Sequence, residues 1–265
     1  MRSPYSDHDV IILEDVSKRY FLHPQRMVEL KKAILHLPTF LKANRAKQAF
    51  WALRGVSFTV HRGESVGIIG SNGAGKSTLL RIVSGLAPLT KGRIIVRGRV
   101  SPLLELGAGF HPQMSGRDNA MINAVLLGLS RREAQRKLPD IAEFSELGEF
   151  IDQPMRTYSS GMYVRLGFAV AVHVRPEILL VDEVLAVGDA EFQRKCFDHI
   201  ERLRRDKVTI VLVSHDLDNV KRFCDRAILL NHGVVAADGK PQKVVDEYLS
   251  NPSGFAAAPA TRADY

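Results

Sequence analysis

The sequence predicts an α/β fold with a parallel sheet at its core, an added antiparallel β portion and a helical subdomain. Three observations carry this. "SVGIIG" is a short apolar strand that stops at glycine and runs through "SNGAGKST" into a helix. "EILLVDE" and "VTIVLVSHD" are near-continuous apolar strands that end in charged residues, the pattern of strands buried on both faces of a parallel sheet. Upstream of all three, "VIILEDVSKRY" and "ALRGVSFTV" have strand character, and these early strands suggest an added antiparallel portion.

Taken in order, the first strand runs into a basic turn, and residues 21–50 then break the pattern. Within them Met27, Leu30, Ile34 and Leu37 recur at helical spacing, Lys31 and Lys32 fall off that stripe, and Pro38 marks an end. This is read as a basic insertion holding one short amphipathic helix. A helix is predicted from about Gly75 to Ser84, strands lie near 93–104, and residues 117–150 are mainly helical with breaks at Gly128 and "LPD". "YSSGMYVRLGFAVA" opens another helix, so a helical subdomain spans about 115–173. "RAILLNHGVVAADG" supplies further strand, with helices near 190–205 and 240–250. The main domain is taken as 1–250, and the small, polar residues 251–265 as a flexible tail.

Composition narrows the class. With 265 residues, 45% of them hydrophobic, the chain can bury a substantial core. Cys196 and Cys224 are too few for a disulfide framework and lack metal-ligand spacing; they read as core residues of a reduced compartment. No stretch approaches the ~20 apolar residues of a membrane span. The formal charge of +8 is local: between Ser17 and Lys47 there are eight basic residues and one acid, Glu29. Such a segment suits a solvated helix face, anionic lipid headgroups or a membrane-embedded partner.

The chemistry starts at "GIIGSNGAGKST". Backbone amides turned inward cradle phosphate, and glycine permits that turn because it tolerates positive φ and adds no side chain. Gly70, Ser71, Asn72, Gly73, Ala74 and Gly75 form the loop. Lys76 neutralises the β and γ phosphates, Ser77 offers a hydroxyl to Mg²⁺, and Thr78 continues the helix whose N-terminal dipole favours the anion. At the end of "ILLVDE", Asp182 is placed to hold Mg²⁺ and Glu183 to polarise the attacking water as general base. His215, after "TIVLVS", is placed to touch the γ phosphate and report its presence.

These motifs, in this order, resemble the ATP-binding subunits of ABC transporters over roughly residues 10–250. "GSNGAGKST" is similar to their phosphate loop, "YSSGM" to their signature loop, "ILLVDE" to their second nucleotide motif, "AVGD" through Asp189 to their dimer-contacting loop, and "VSHD" to their histidine switch. "LLELGAGFHPQMSGRDN" and "DEVLAVGDAEFQRKC" resemble the branch that exports capsule, O-antigen and teichoic acid polymers. The resemblance implies an ATPase using ATP and Mg²⁺, at the cytoplasmic face of the bacterial membrane. It also implies a homodimer beneath separate transmembrane permease subunits, with the polysaccharide recognised through the permease and no nucleic acid bound. The rival reading is a soluble ABC-type ATPase acting on nucleic acid or ribosomes, which a steep salt dependence of RNA or DNA binding would reveal.

The same resemblance implies that the helix-start amides at Ser159, Ser160 and Gly161 face the nucleotide on the partner's phosphate loop, and that Tyr20 stacks on adenine. Phe50 and Trp51 are nearby aromatic residues with a possible core role. Two departures stand out. The usual signature Leu-Ser-Gly-Gly-Gln is here Tyr158, Ser159, Ser160, Gly161 and Met162, and the usual glutamine ahead of the helical region is not obvious: Glu105 lies near its expected place, Gln113 is an alternative with poorer spacing, and the role is assigned to neither. "LELGAGF" is expected either to face the nucleotide site or the membrane partner, or to be a mobile connection.

Overall fold

The structure, a computed structural model, describes residues 5–22, 48–104, 106–107, 109–182 and 189–250. The expected amphipathic helix of the insertion, Glu105, Glu183 and the tail lie outside these residues.

Strands β1 (Asp9–Leu22) and β2 (Gln48–His61) pair antiparallel, with Tyr20 opposite Phe50 and Ile12 opposite Thr59. β4 (Lys91–Val96) joins the other edge of β1, also antiparallel, giving the three-stranded sheet β2-β1-β4. The second sheet has the order β5-β6-β7-β3-β8-β9. Its members are β3 (Ser65–Ile69), β5 (Val100–Pro102), β6 (Ile178–Val181), β7 (Thr209–Val213), β8 (Arg226–Asn231) and β9 (Val234–Gly239). All neighbours are parallel except β9, which returns antiparallel on β8. β3, β6 and β7 are buried along their whole lengths, as their unbroken apolar runs require.

Side-chain alternation divides the core in two. Ile178, Leu180, Val211 and Val213 share one cluster with β1, β2 and the helix α1 (Lys76–Val83), while Leu179, Val181, Ile210 and Leu212 belong to a second cluster with the remaining helices. Those helices are α2 (Gly116–Leu126), α3 (Arg131–Ser145), α4 (Ser160–His173), α5 (Ala190–Arg205), α6 (Leu217–Phe223) and α7 (Pro241–Ser250), with 3₁₀ turns at Gly148–Asp152 and Met155–Thr157. Cys196 and Cys224 are buried and unpaired, as expected.

Two local expectations are corrected. The "LPD" break does not occur: α3 runs through Pro139. A proline inside a helix costs about 3 kcal/mol, and α3 offsets this with a full capping box between Ser130 and Glu133 and with burial of Ala134, Ile141 and Phe144. The short helix α6, missed in the sequence, is started by Asp216, whose carboxylate accepts the amides of Asp218 (3.0 Å) and Asn219 (3.1 Å). No helix among the described residues is long and apolar enough to cross a membrane.

Candidate functional site

Topology assembles the site before any side chain is considered. β6, β7 and β3 are successive parallel strands, so the residues that follow them all emerge at one edge of the sheet. Gly70 follows β3, Asp182 follows β6 and His215 lies just beyond β7. A cleft of ≈ 470 Å³ opens there, lined by Asn72, Gly73, Gly75, Lys76, Ser77, Thr78, Asp182 and His215, together with Phe50 and Ala52 of β2.

The loop is shaped by steric necessity at two glycines. Gly75 caps α1 at φ 108°, and a Cβ there would lie 2.5 Å from the Ala52 carbonyl oxygen. Gly70, at φ 145°, passes so close to β8 that a Cβ would lie 2.2 Å from the Leu230 carbonyl oxygen. Lys76 is only 6% exposed, and its ammonium donates to the carbonyls of Gly70 (2.8 Å) and Ser71 (3.1 Å), which holds the cation in the mouth of the loop. The first turn of α1 carries no acidic residue, leaving its dipole available to an anion. Ser77 and Asp182 present hard oxygen donors to the cleft. Among the described residues no cluster of three or more His, Cys, Asp or Glu could cage a metal. That donor set fits Mg²⁺, which is commonly held by one or two protein oxygens plus phosphate and water.

Tyr20 is not among the residues lining the cleft; Phe50 is. The two are directly opposed across β1 and β2, and opposed residues of an antiparallel pair share a face. Tyr20 is 36% exposed with the Lys18 ammonium 4.9 Å from its ring. The aromatic surface nearest the phosphate loop therefore belongs to Phe50, with Tyr20 beside it.

A second cleft, ≈ 430 Å³, opens at the start of α4 and is lined by Ser159, Gly161, Met162 and Arg165 with Glu146, Leu147, Phe150 and Asp189. Ser159 caps the helix by accepting the Met162 amide at 3.2 Å, so one amide is satisfied internally. The amides of Ser160 and Gly161 precede any intrahelical acceptor, and no acidic residue stands in that turn. The two clefts share no lining residue. Asp189 caps α5 through the Phe192 amide (2.9 Å) and pairs with Arg165, both within the chain.

Several organising residues escaped the sequence reading. Asn119, 1% exposed, pins the turn ahead of α2: its Oδ1 accepts the His111 amide (2.6 Å) and its Nδ2 donates to the carbonyls of His111 (3.0 Å) and Ser115 (2.9 Å). Gly107 and Gly167 bring the "LELGAGF" stretch onto α4, since a Cβ on Gly167 would lie 2.8 Å from the Gly107 nitrogen. Phe110 meets Tyr163 edge-on at 5.2 Å, so the described part of that stretch packs on the helix. Gln113 is exposed, accepts from Arg156 at 2.5 Å and does not line the phosphate cleft. The Gly107–Gly167 approach joins positions far apart in sequence, and no local pattern announces it.

Residues 53–186 match the family model described as ABC transporter. An O-antigen export system ATP-binding protein from Klebsiella pneumoniae is 45% identical over 91% of this chain and 98% of its own length. The chain belongs to the ABC transporter family. A second O-antigen export system ATP-binding protein, from Myxococcus xanthus, is 48% identical over 91% of the chain but 55% of its own length. A teichoic acids export ATP-binding protein from Lactococcus lactis is 46% identical over 83% of the chain and 49% of its own length. The chain thus spans about half the length of these two relatives. Among solved structures, the dimeric post-hydrolysis state of the ATP-binding cassette MJ0796 bound to ADP and Pi superposes with a TM-score of 0.68, at 22% identity, over 88% of this chain and 99% of that one. This likeness establishes the ABC fold.

Within that family the Tyr158 departure has a local cause. Its hydroxyl donates to the Phe150 carbonyl at 2.8 Å and occupies the space where a Cβ on Gly116 would fall, 2.0 Å away. Tyr158 therefore locks the entry to α4 against both the 148–152 turn and the start of α2, an anchoring a leucine side chain has no polar atom to make.

Proposed function

We propose that this ABC protein is the ATP-hydrolysing subunit of a bacterial exporter of polysaccharide or lipid-linked glycan, acting as a pair of copies beneath separate membrane-spanning subunits. The observation that carries the paired action is that the two clefts share no lining residue. Phosphate-binding candidates line one and the first α4 amides open into the other, which supports a nucleotide that meets both sets across two chains. The polymer class is supported by the O-antigen and teichoic acid relatives.

In this reading the loop amides and Lys76 bind the triphosphate, Ser77 and Asp182 hold Mg²⁺, and Phe50 with Tyr20 offers the base an aromatic face. Bound Mg²⁺ supplies charge neutralisation on the phosphate oxygens. Glu183, next in sequence to Asp182, takes the proton of the attacking water, and His215 contacts the γ phosphate. Amides of the partner's Ser160 and Gly161 complete the enclosure. Support for the docking of a membrane subunit comes from α2, where Ile122, Val125 and Leu126 form an exposed apolar stripe, Leu126 being 70% exposed.

The test is the Glu183→Gln variant. It should bind ATP, dimerise with it, and turn over about 10²- to 10⁴-fold more slowly, the usual size of a general-base contribution. Undiminished turnover removes Glu183 from the mechanism, and ATP-loaded chains that stay single in analytical ultracentrifugation overturn the paired site.

A further inference from the structure

A third cavity, ≈ 150 Å³, opens at the other end of α4. It is lined by Leu129, Glu133, Arg136 and Lys137, just before and within the first turns of α3, and by His173 and Arg175 where α4 ends. From the cap at Ser159 to His173 the helix rises about 20 Å, and the cavity shares no residue with either cleft.

Three of these residues are cations, and their charge is not balanced on the spot. Glu133, the one carboxylate on the wall, is committed to the capping box, where its Oε2 accepts from the Ser130 amide (2.9 Å) and hydroxyl (2.6 Å). Those bonds, and after them the charges of Arg99 and Arg136, hold the Glu133 carboxyl below its usual range. Arg99 is a fourth cation close by: it donates to the Gly128 carbonyl at 3.5 Å, and its buried Nε has no hydrogen-bond partner among the described residues. Lys137 pairs with Asp140 at 2.8 Å, whereas among the described residues neither Arg136 nor Arg175 forms an ion pair. Arg136 donates to the Arg132 carbonyl of its own helix at 3.3 Å.

The backbone singles out Arg175 independently. It stands at φ 52° in the left-handed turn after α4, directly before Pro176. Glycine and asparagine take that conformation readily, and other residues lose about 1 kcal/mol in doing so. A long cation is therefore held here against the preference of the backbone, and its side chain lines the cavity. Two guanidinium groups and an ammonium around so small a space match the oxygens of one phosphate group, which arginine binds through paired N–H donors and lysine as a point charge. We infer that this cavity is a binding site for a phosphate group, free or carried by a small metabolite, with Arg136 and Arg175 as its paired donors and Lys137 as its third cation.

The experiment is isothermal titration of the full chain with inorganic phosphate and, separately, glucose 1-phosphate. Ionic strength is held constant, and the phosphate loop is saturated with a non-hydrolysable ATP analogue and Mg²⁺. The wild type should bind one equivalent with a dissociation constant of about 1 mM or below. Arg136→Gln and Arg175→Asn should each weaken binding about tenfold, the worth of one charge-assisted hydrogen bond. Arg132→Gln, on the same helix but off the cavity wall, should leave it unchanged. Asparagine suits the left-handed turn, so Arg175→Asn should keep or raise the urea midpoint and its loss of binding reports the side chain alone. Glucose 1-phosphate binding at least tenfold tighter than phosphate assigns the site to a metabolite, and any smaller preference assigns it to the free anion. No saturable binding of either anion, equal affinity in the wild type and both variants, or the same loss in Arg132→Gln overturns the inference.

Discussion

His173 at the end of α4 and His199 on α5 meet at 5.0 Å between ring centroids, and each meets Phe144 of α3 edge-on at 5.2 Å. This three-ring cluster joins α3, α4 and α5, the helices that Arg165 also links. Burial pushes the His199 imidazole down from 6.5 to about 4, with the nearby His173 and Arg202 adding to the effect; burial also lowers His173, against the pull of the Ala169 carbonyl. Lys137 disfavours protonation of His173, whereas Asp140 favours it, and Asp206 favours protonation of His199. Because the folded pKa lies below the unfolded one, the folded chain binds fewer protons. The stabilisation is complete above the unfolded value of 6.5 and is lost as pH falls from there toward 4. At pH 5 the shift corresponds to about 2 kcal/mol; His199 is only half-buried, and screening by water reduces this to about 1 kcal/mol. The perturbation is His199→Gln, which keeps a neutral polar side chain and removes the titration. Urea unfolding followed by circular dichroism at pH 7 and pH 5 should show the wild-type midpoint falling further than the variant's by about 0.5 M, for a slope of about 2 kcal/mol per molar. Midpoints that fall by the same amount in both proteins refute the reasoning.

Gly75→Ala should abolish tight ATP binding and destabilise the fold by about 2–4 kcal/mol, through left-handed strain and a backbone clash that no rotamer relieves; isothermal titration and urea midpoints measure the two effects. Phe50→Ala should weaken ATP binding about fivefold to tenfold, the worth of about 1 kcal/mol of ring stacking, and Tyr20→Ala less. Equal losses, or a larger one at Tyr20, would refute this order.

The phosphate loop, the strand-end Asp182 and His215 were legible in the sequence because their geometry is set by the local backbone. An apolar strand, a glycine turn and a helix start define a shape whatever surrounds them, and the parallel order of β6, β7 and β3 then gathers the strand ends at one edge. Pro139 was misread because the local cost of proline is visible in sequence, while the capping box and the buried face that outweigh it are split between local and tertiary contributions. Tyr20 and Phe50 show the same limit from another side. The motif pattern indicates Tyr20, and the pairing of β1 with β2 brings Phe50, at the edge of the cleft, opposite it.

Arg165 marks where legibility ends for a physical reason. Its spacing from Ser159 is fixed by the helix, yet what it does depends on Glu146 and Asp189, nineteen residues before it and twenty-four after it. Glu146 is inconspicuous, since it follows a helix end, and Asp189, singled out by its motif, also begins a helix, so neither position announces an ion pair with Arg165. Their shared selection of one guanidinium arises when α3, α4 and α5 pack on the second core cluster and Phe192 supplies a buried ring beneath the charge. The phosphate loop can therefore be encoded in a short motif, whereas the docking of α3, α4 and α5 on one another has to be encoded in packing. It follows that substitutions abolishing ATP binding should concentrate in the motifs, and those that spare binding but loosen the docking of α3, α4 and α5 should concentrate among such long-range partners.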